Sequence, residues 1–127
     1  MNVPARFLPV SPLPVGRGAD LHPVEVAVLE GKALPEPMRI ASLLVGREAN
    51  LMWESVPRGT RVPPHRHDDH ESIVYLVSGA QRLWIEGVQF EAGPGDAWVH
   101  ERGVEHSSEA LADCVQVEFK TPATRTW

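Results

Sequence analysis

The sequence predicts an all-β protein, a small antiparallel sandwich or closed barrel, and three observations carry that prediction. Twelve prolines and ten glycines punctuate the 127 residues into short segments. Those segments are rich in Val, Ile and Leu, and none needs a helical period to explain it. An apolar fraction of 43% fills one core, and the length leaves no room for a second of ordinary size.

Taken in order, residues 1–20 read as a proline-punctuated arm, either disordered or extended against the body or a partner subunit, and 21–127 as a single barrel domain. VEVAVLEG (24–31) and MRIASLLVG (38–46) read as strands, separated by KALPEP, whose prolines interrupt regular pairing. LMWESV (51–56) is a third strand and PRGT (57–60) a turn; the prolines before His65 keep the chain extended. SIVYLVSG (72–79) and AQRLWIEG (80–87) follow so closely that a hairpin joins them. Two short strands flank the turn AGPGD (92–96). In DCVQVEF (113–119), Val115, Val117 and Phe119 alternate with Cys114, Gln116 and Glu118. About eight short strands call for an arrangement that removes exposed edges.

Charge and cysteine content narrow the function classes. Twelve basic against 17 acidic side chains leave a net charge of −5, so no positive field is available for a phosphate backbone and nucleic acid is not an expected partner. The lone Cys114 excludes an intrachain disulfide framework and is compatible with a reducing cytoplasm. Pro4, Pro9, Pro12 and Pro14 break the N-terminal stretch, which resembles neither a secretion signal nor a membrane span. A cytoplasmic, non-membrane protein is the expectation.

The chemistry concentrates in PPHRHDDHES (63–72). Alternate side chains of a strand share a face, so His65 and His67 can point the same way with Cβ atoms about 6–7 Å apart. That spacing lets two imidazoles meet one ion at metal–N distances of about 2.0–2.2 Å. The alternative is a pair of solvent-facing polar residues, and a metal site needs a third ligand from elsewhere.

The wider pattern is Gly59-x5-His65-x-His67-x3-Glu71, then Gly79, then Gly95-x5-Glu101-x-Gly103-x2-His106. Over roughly residues 59–110 it resembles the two motifs of the cupin superfamily, and the surrounding strands extend the likeness to most of the chain. The resemblance implies a jelly-roll-like double-stranded β-helix, and a metal held by His65, His67, His106 and an acid. Spacing from Gly79 puts Ser72 at the acid position, whereas Glu71 is the acid only if the strand holds one extra residue, as in a bulge. Glu71 is therefore the fourth ligand in the bulged register and Ser72 stands there in the regular one. Glu101 stands in place of the second motif's proline and Ala110 in place of its asparagine. The segment from Asp113 to Pro122 resembles the terminal strand of cupins associated with pectin degradation and unsaturated-uronate processing.

Further candidates surround this core set. His70, Glu71 and Glu101 are candidate proton-handling groups, His70 because an unperturbed imidazole titrates near a pH of about 6.5. His100 is open between a site role and an outer polar face, and His22 is unrelated to the site. Tyr75, Trp84 and Trp98 are candidate pocket aromatics, each with core packing as the alternative. Arg82 addresses a substrate carboxylate if its strand face turns inward, and solvent otherwise. Trp53 and Trp127 suit a dimer surface or the barrel ends.

The resemblance implies one divalent metal ion (Zn, Ni, Mn or Fe) and metal-dependent chemistry, isomerase, lyase or hydrolase-like, on a small organic acid or carbohydrate-derived compound. The alternatives are a three-histidine iron dioxygenase, a non-catalytic ligand-binding cupin and a structural homodimer. A small-molecule ligand and a homodimer are the expected partners.

Overall fold

Ten strands build residues 7–127, the part of the chain that the computed structural model describes; residues 1–6 of the predicted arm lie outside it. They are β1 (Val24–Leu29), β2 (Lys32–Val45), β3 (Asn50–Val56), β4 (Arg61–His65), β5 (Glu71–Ser78), β6 (Gln81–Ile85), β7 (Val88–Ala92), β8 (Ala97–His100), β9 (His106–Ala110) and β10 (Cys114–Thr121). All pair antiparallel in two sheets, a six-stranded one ordered β1-β2-β3-β10-β5-β8 and a four-stranded one ordered β4-β9-β6-β7. The result is the predicted all-β, jelly-roll-like architecture. Among the described residues no helix is long and apolar enough to cross a membrane.

The strand plan departs from expectation in two places: β5 and β6 form no hairpin, because the chain crosses at Gly79 from the six-stranded to the four-stranded sheet, and proline interrupts pairing less than expected. Pro35 and Pro37 lie inside β2, which begins at Lys32. Pairing runs Leu29↔Lys32 and Val28↔Ala33, then resumes at Val26↔Met38, so both prolines fall in the stretch where the register slips and the missing N–H breaks no ladder bond. Residues of the arm lie against their own body: Ser11 N–H donates to Val45 O (2.9 Å), and Val45 N–H donates to Ser11 Oγ (2.9 Å).

Register decides what the inner face of the large sheet carries. Cys114 sits opposite Val56; Gln116 lies between Glu54 and Leu76; Glu118 between Met52 and Val74; Lys120 between Asn50 and Ser72. These rows pass from apolar to polar along the interior. The apolar end packs Val26, Met38, Ile40, Met52, Leu76 and Leu83 into one core. The polar end continues through Ser72↔His100, across the β5–β8 ladder. A slip between Val115 and Gln116 leaves Val77 as the extra residue of β5 next to Gly79. Gly79 is required there: its φ is +100°, and a Cβ would come within 2.5 Å of Asp113 O and 2.6 Å of Cys114 Sγ.

Candidate metal centre

The strand ending at His65 and the residue two places on supply two imidazoles by simple alternation, since His65 and His67 are buried while Arg66 between them is exposed. The third arrives across a ladder: His106, the first residue of β9, pairs directly with His65. One nitrogen from each of the three lies within 4.8 Å of the others. Ring centroids stand 4.8 Å (His65–His67), 4.3 Å (His65–His106) and 4.9 Å (His67–His106) apart.

Backbone carbonyls fix the tautomers. His65 Nδ1 donates to Pro63 O (2.8 Å) and His106 Nδ1 to Val104 O (3.0 Å). A carbonyl only accepts, so each Nδ1 carries the proton and each Nε2 keeps its lone pair. His106 Nε2 is buried without a hydrogen-bond partner. The turn bearing Glu101 supports this arrangement through its backbone: Glu101 O accepts from Val104 N–H (3.2 Å), and Gly103 N–H donates to His67 O (2.9 Å). His67 Nδ1 stands 3.1 Å from Glu30 Oε1, a carboxylate neighbour of the sort that orients a ligating imidazole. Three neutral nitrogen donors, one of them an orphaned buried acceptor, fit a divalent first-row ion with open positions left for a small molecule.

Burial depresses the basicity of the whole cluster. His65 and His70 are lowered chiefly by desolvation; His67 is lowered furthest, by desolvation and then by His70. His106 falls to about 4, and His100, stacked on it at 3.6 Å, to about 3, both mainly through desolvation. Each group therefore binds its proton less readily folded than unfolded. Stability is full above the unfolded value of 6.5 and is lost as pH falls from there towards the folded values of about 3–4. Metal-stripped protein should lose stability steeply over that range, each histidine contributing a slope of up to about 1.4 kcal/mol per pH unit. Urea unfolding across pH measures it, and a flat profile between pH 6.5 and 4 contradicts the result.

The remaining predicted residues divide by sheet face. Strict alternation in β5 turns Ser72, Val74 and Leu76 inward, and the bulge lies beyond them, so it does not move Glu71 into the cluster. His70 is fully buried beside His67 (ring centroids 4.4 Å), with Nδ1 2.8 Å from Asp69 Oδ1. Trp98 lines a cavity of about 60 Å³ together with the three histidines. Tyr75 is 46% exposed on the outer face, Trp84 lines an outer groove with Pro35, Pro63 and His106, and Arg82 pairs with Glu91 (3.3 Å). Glu101 is exposed in its turn.

The same cavity wall carries His100, which the sequence left open between a site role and an outer face, and groups that sequence reasoning missed: Glu54, Gln81, Gln116, Glu118 and Lys120. Ser72 Oγ stands 3.4 Å from His100 Nδ1 and favours the charged form of Glu118, which links the wall to the ring stacked on His106. Charged side chains alternating with Met52, Val56 and Cys114 were the available signal, because those apolar partners are core residues.

A family model for the cupin domain matches residues 52–118. Among solved structures, KdgF from a Halomonas species superposes with a TM-score of 0.70 at 23% identity, over 85% of this chain and 92% of that one. A Thermotoga maritima protein described as a predicted oxalate decarboxylase gives 0.73 at 19% identity, over 86% and 98%. The polyketide cyclase RemF from Streptomyces resistomycificus gives 0.70 at 22% identity, over 86% and 78%. At such identities these structures share the fold alone. No curated protein matches the chain. The matched segment, more than half of the chain, includes all three clustered histidines, and the chain belongs to the cupin family.

Proposed function

We propose that this cupin is a metal-dependent enzyme acting on a small organic acid or carbohydrate-derived compound, with His65, His67 and His106 as metal ligands. The observation that carries this reading is their convergence at the wall of a cavity that also holds buried acid and base groups. A bound divalent ion supplies Lewis-acid polarisation of an oxygen on the substrate. The chain supplies the rest. Carbonyls of Pro63 and Val104 hold two imidazoles in the tautomer that presents Nε2, and Trp98 gives the cavity an apolar side. His70, oriented by Asp69, stands beside His67 as a further proton-handling group; Glu71 and Glu101 are the outlying candidates for that role. Protein purified without an affinity tag should carry about one divalent metal per chain by elemental analysis. Chelation should abolish turnover across a panel of sugar acids and small hydroxy or oxo acids, and metal return should restore it. Metal-free histidines in metal-replete protein defeat this reading, and ligand binding without turnover replaces it with a binding protein.

The functional unit is a cytoplasmic homodimer in this proposal. Ile73, Tyr75, Val77 and Phe119 are each more than 40% exposed on the neighbouring strands β5 and β10, a continuous apolar face that a second copy would cover. The free, buried Cys114 suits a reducing compartment. Sedimentation equilibrium tests the dimer, and a monomer at micromolar concentration removes it.

A further inference from the structure

We propose that Glu118 and Glu54 form a one-proton carboxyl pair in the cavity wall, Glu118 exchanging protons with a C–H-acidic organic acid held there and Glu54 positioning it. This deepens the enzyme reading above and rests on it. Both side chains line the cavity that the three histidines line, and both are buried, at 9% and 2% exposure. They come from adjacent strands, with Glu54 opposite Gln116 and Glu118 two residues further along the same inward face.

The hydrogen-bond directions place the shared proton. Gln81 Nε2 donates to Gln116 Oε1, which turns the Gln116 amide so that its Nε2 donates to Glu54 Oε1 at 2.6 Å. Glu54 is then free to direct its own O–H at Glu118, its diagonal neighbour across the β3–β10 ladder in the same cavity wall. Glu118 receives from every side. Ser72 of β5 and the Lys120 ammonium on its own strand favour its charge, and His100 of β8, His65 of β4, His106 of β9 and His70 ahead of β5 sense it. Burial and the neighbouring Glu118 carboxylate hold Glu54 well above the usual carboxylate range. Burial opposes the ionisation of Glu118, yet Lys120 and the Glu54 hydrogen bond outweigh it and bring the group to about 2. Two carboxyls driven apart in this way hold one proton between them at neutral pH, Glu54 protonated and Glu118 ionised.

A fold has no need of such a pair, since apolar side chains of similar volume fill an interior at lower desolvation cost. Its position gives it a use. A proton leaves a C–H bond of the ligand for a Glu118 oxygen, and the electron pair of that bond stays on the ligand as an enolate. Return of the proton to a different ligand atom restores Glu118, and no oxidant or reductant is consumed. Glu54 is a positioning residue: it holds Glu118 by one hydrogen bond and becomes a repelling carboxylate once it ionises.

The test uses the full chain loaded with Zn2+ and, as probe, pyruvate, the smallest 2-oxo acid with an acidic C–H. Methyl proton exchange in D2O is followed by NMR, with zinc content measured on the same samples. Wild-type protein should accelerate exchange over free zinc, and E118Q should lower the protein-dependent rate by roughly 100-fold or more with zinc retained. E118D, which keeps the charge beside Lys120 and withdraws the carboxylate by one methylene, guards against a folding failure and should lose at least about tenfold. E54Q, which can still donate a hydrogen bond to Glu118 but cannot ionise, should lower exchange at neutral pH and lose the alkaline limb of the pH profile, which a purely structural glutamate would leave in place. Infrared spectra of protein labelled with 13C-glutamate should show a protonated carboxyl band at neutral pH in wild type and E118Q and none in E54Q. Wild-type exchange no faster than free zinc, zinc-loaded E118Q at the wild-type rate, or a band that survives E54Q overturns the proposal while leaving the metal site standing. Failure to bind zinc overturns the enzyme reading instead, and the infrared band still decides whether the pair exists.

Discussion

Replacement of His106 by alanine is expected to cost at least about 100-fold in metal affinity, more than the roughly 10–100-fold that follows loss of a partner to a ligand. The reason lies in how the imidazole is delivered. His106 opens β9, pairs with His65 across the ladder, and is pinned by Val104 O, so its unpartnered Nε2 has a fixed direction. No neighbouring side chain replaces it: His100, stacked against it, already approaches Ser72 through Nδ1. Fold stability should change far less. Removing a buried acceptor without a hydrogen-bond partner relieves a desolvation cost, which offsets part of the packing lost with the ring. The metal-stripped H106A variant should therefore unfold within about 2 kcal/mol of the metal-stripped parent. Titration with Zn2+ against a competing chelator measures the first quantity and urea unfolding the second. Metal affinity equal to that of the parent removes His106 from the ligand set.

The site was legible in the sequence to the extent that it is written in local spacing. His65-x-His67 needs only the two-residue period of a strand, and His106 sits at the start of a strand that faces the same interior. The acid position was ambiguous because a one-residue slip reverses a side chain's face, and the bulge that mattered lies at Val77, between Ser72 and Gly79. Long-range pairing was not legible. Alternation in β10 separated Val115, Val117 and Phe119 from Gln116 and Glu118, but hydropathy assigns the apolar set to the core. The folded chain does the reverse, because the outer face of β10 lies between apolar strands and its inner face lines a polar cavity. Glu54, Glu118 and Lys120 therefore pass for surface residues until the two sheets are assembled. Proline misled at β2 for a related reason: a register slip opposite β1 accommodates what a regular ladder would reject.

The largest stability effect should come from Lys120, the most deeply placed charged side chain, at 1% exposure. Its Nζ donates to Thr126 Oγ1 (2.8 Å), and its charge is the chief cause that holds Glu118 ionised against burial. Lys120→Met keeps most of the volume and removes the charge, so Glu118 faces a choice between an uncompensated buried carboxylate and protonation. Removing one partner of a buried pair costs about 3–5 kcal/mol. For a chain of this size that corresponds to a fall in Tm of roughly 10–25 °C. The pH dependence carries the sign. With its pKa lowered from 4.5 to about 2, Glu118 contributes stability that is present above pH 4.5 and lost as pH falls towards 2. In K120M that contribution shrinks at neutral pH, and the variant's deficit should narrow in acid as Glu118 protonates in both proteins. Adding Glu118→Gln to K120M should recover part of the loss, because no charge is then left stranded, and the double-mutant cycle should give a coupling of about 1–3 kcal/mol. Strict additivity of the two substitutions means that the charges do not sense each other, and the electrostatic account of the cavity wall then fails at its centre.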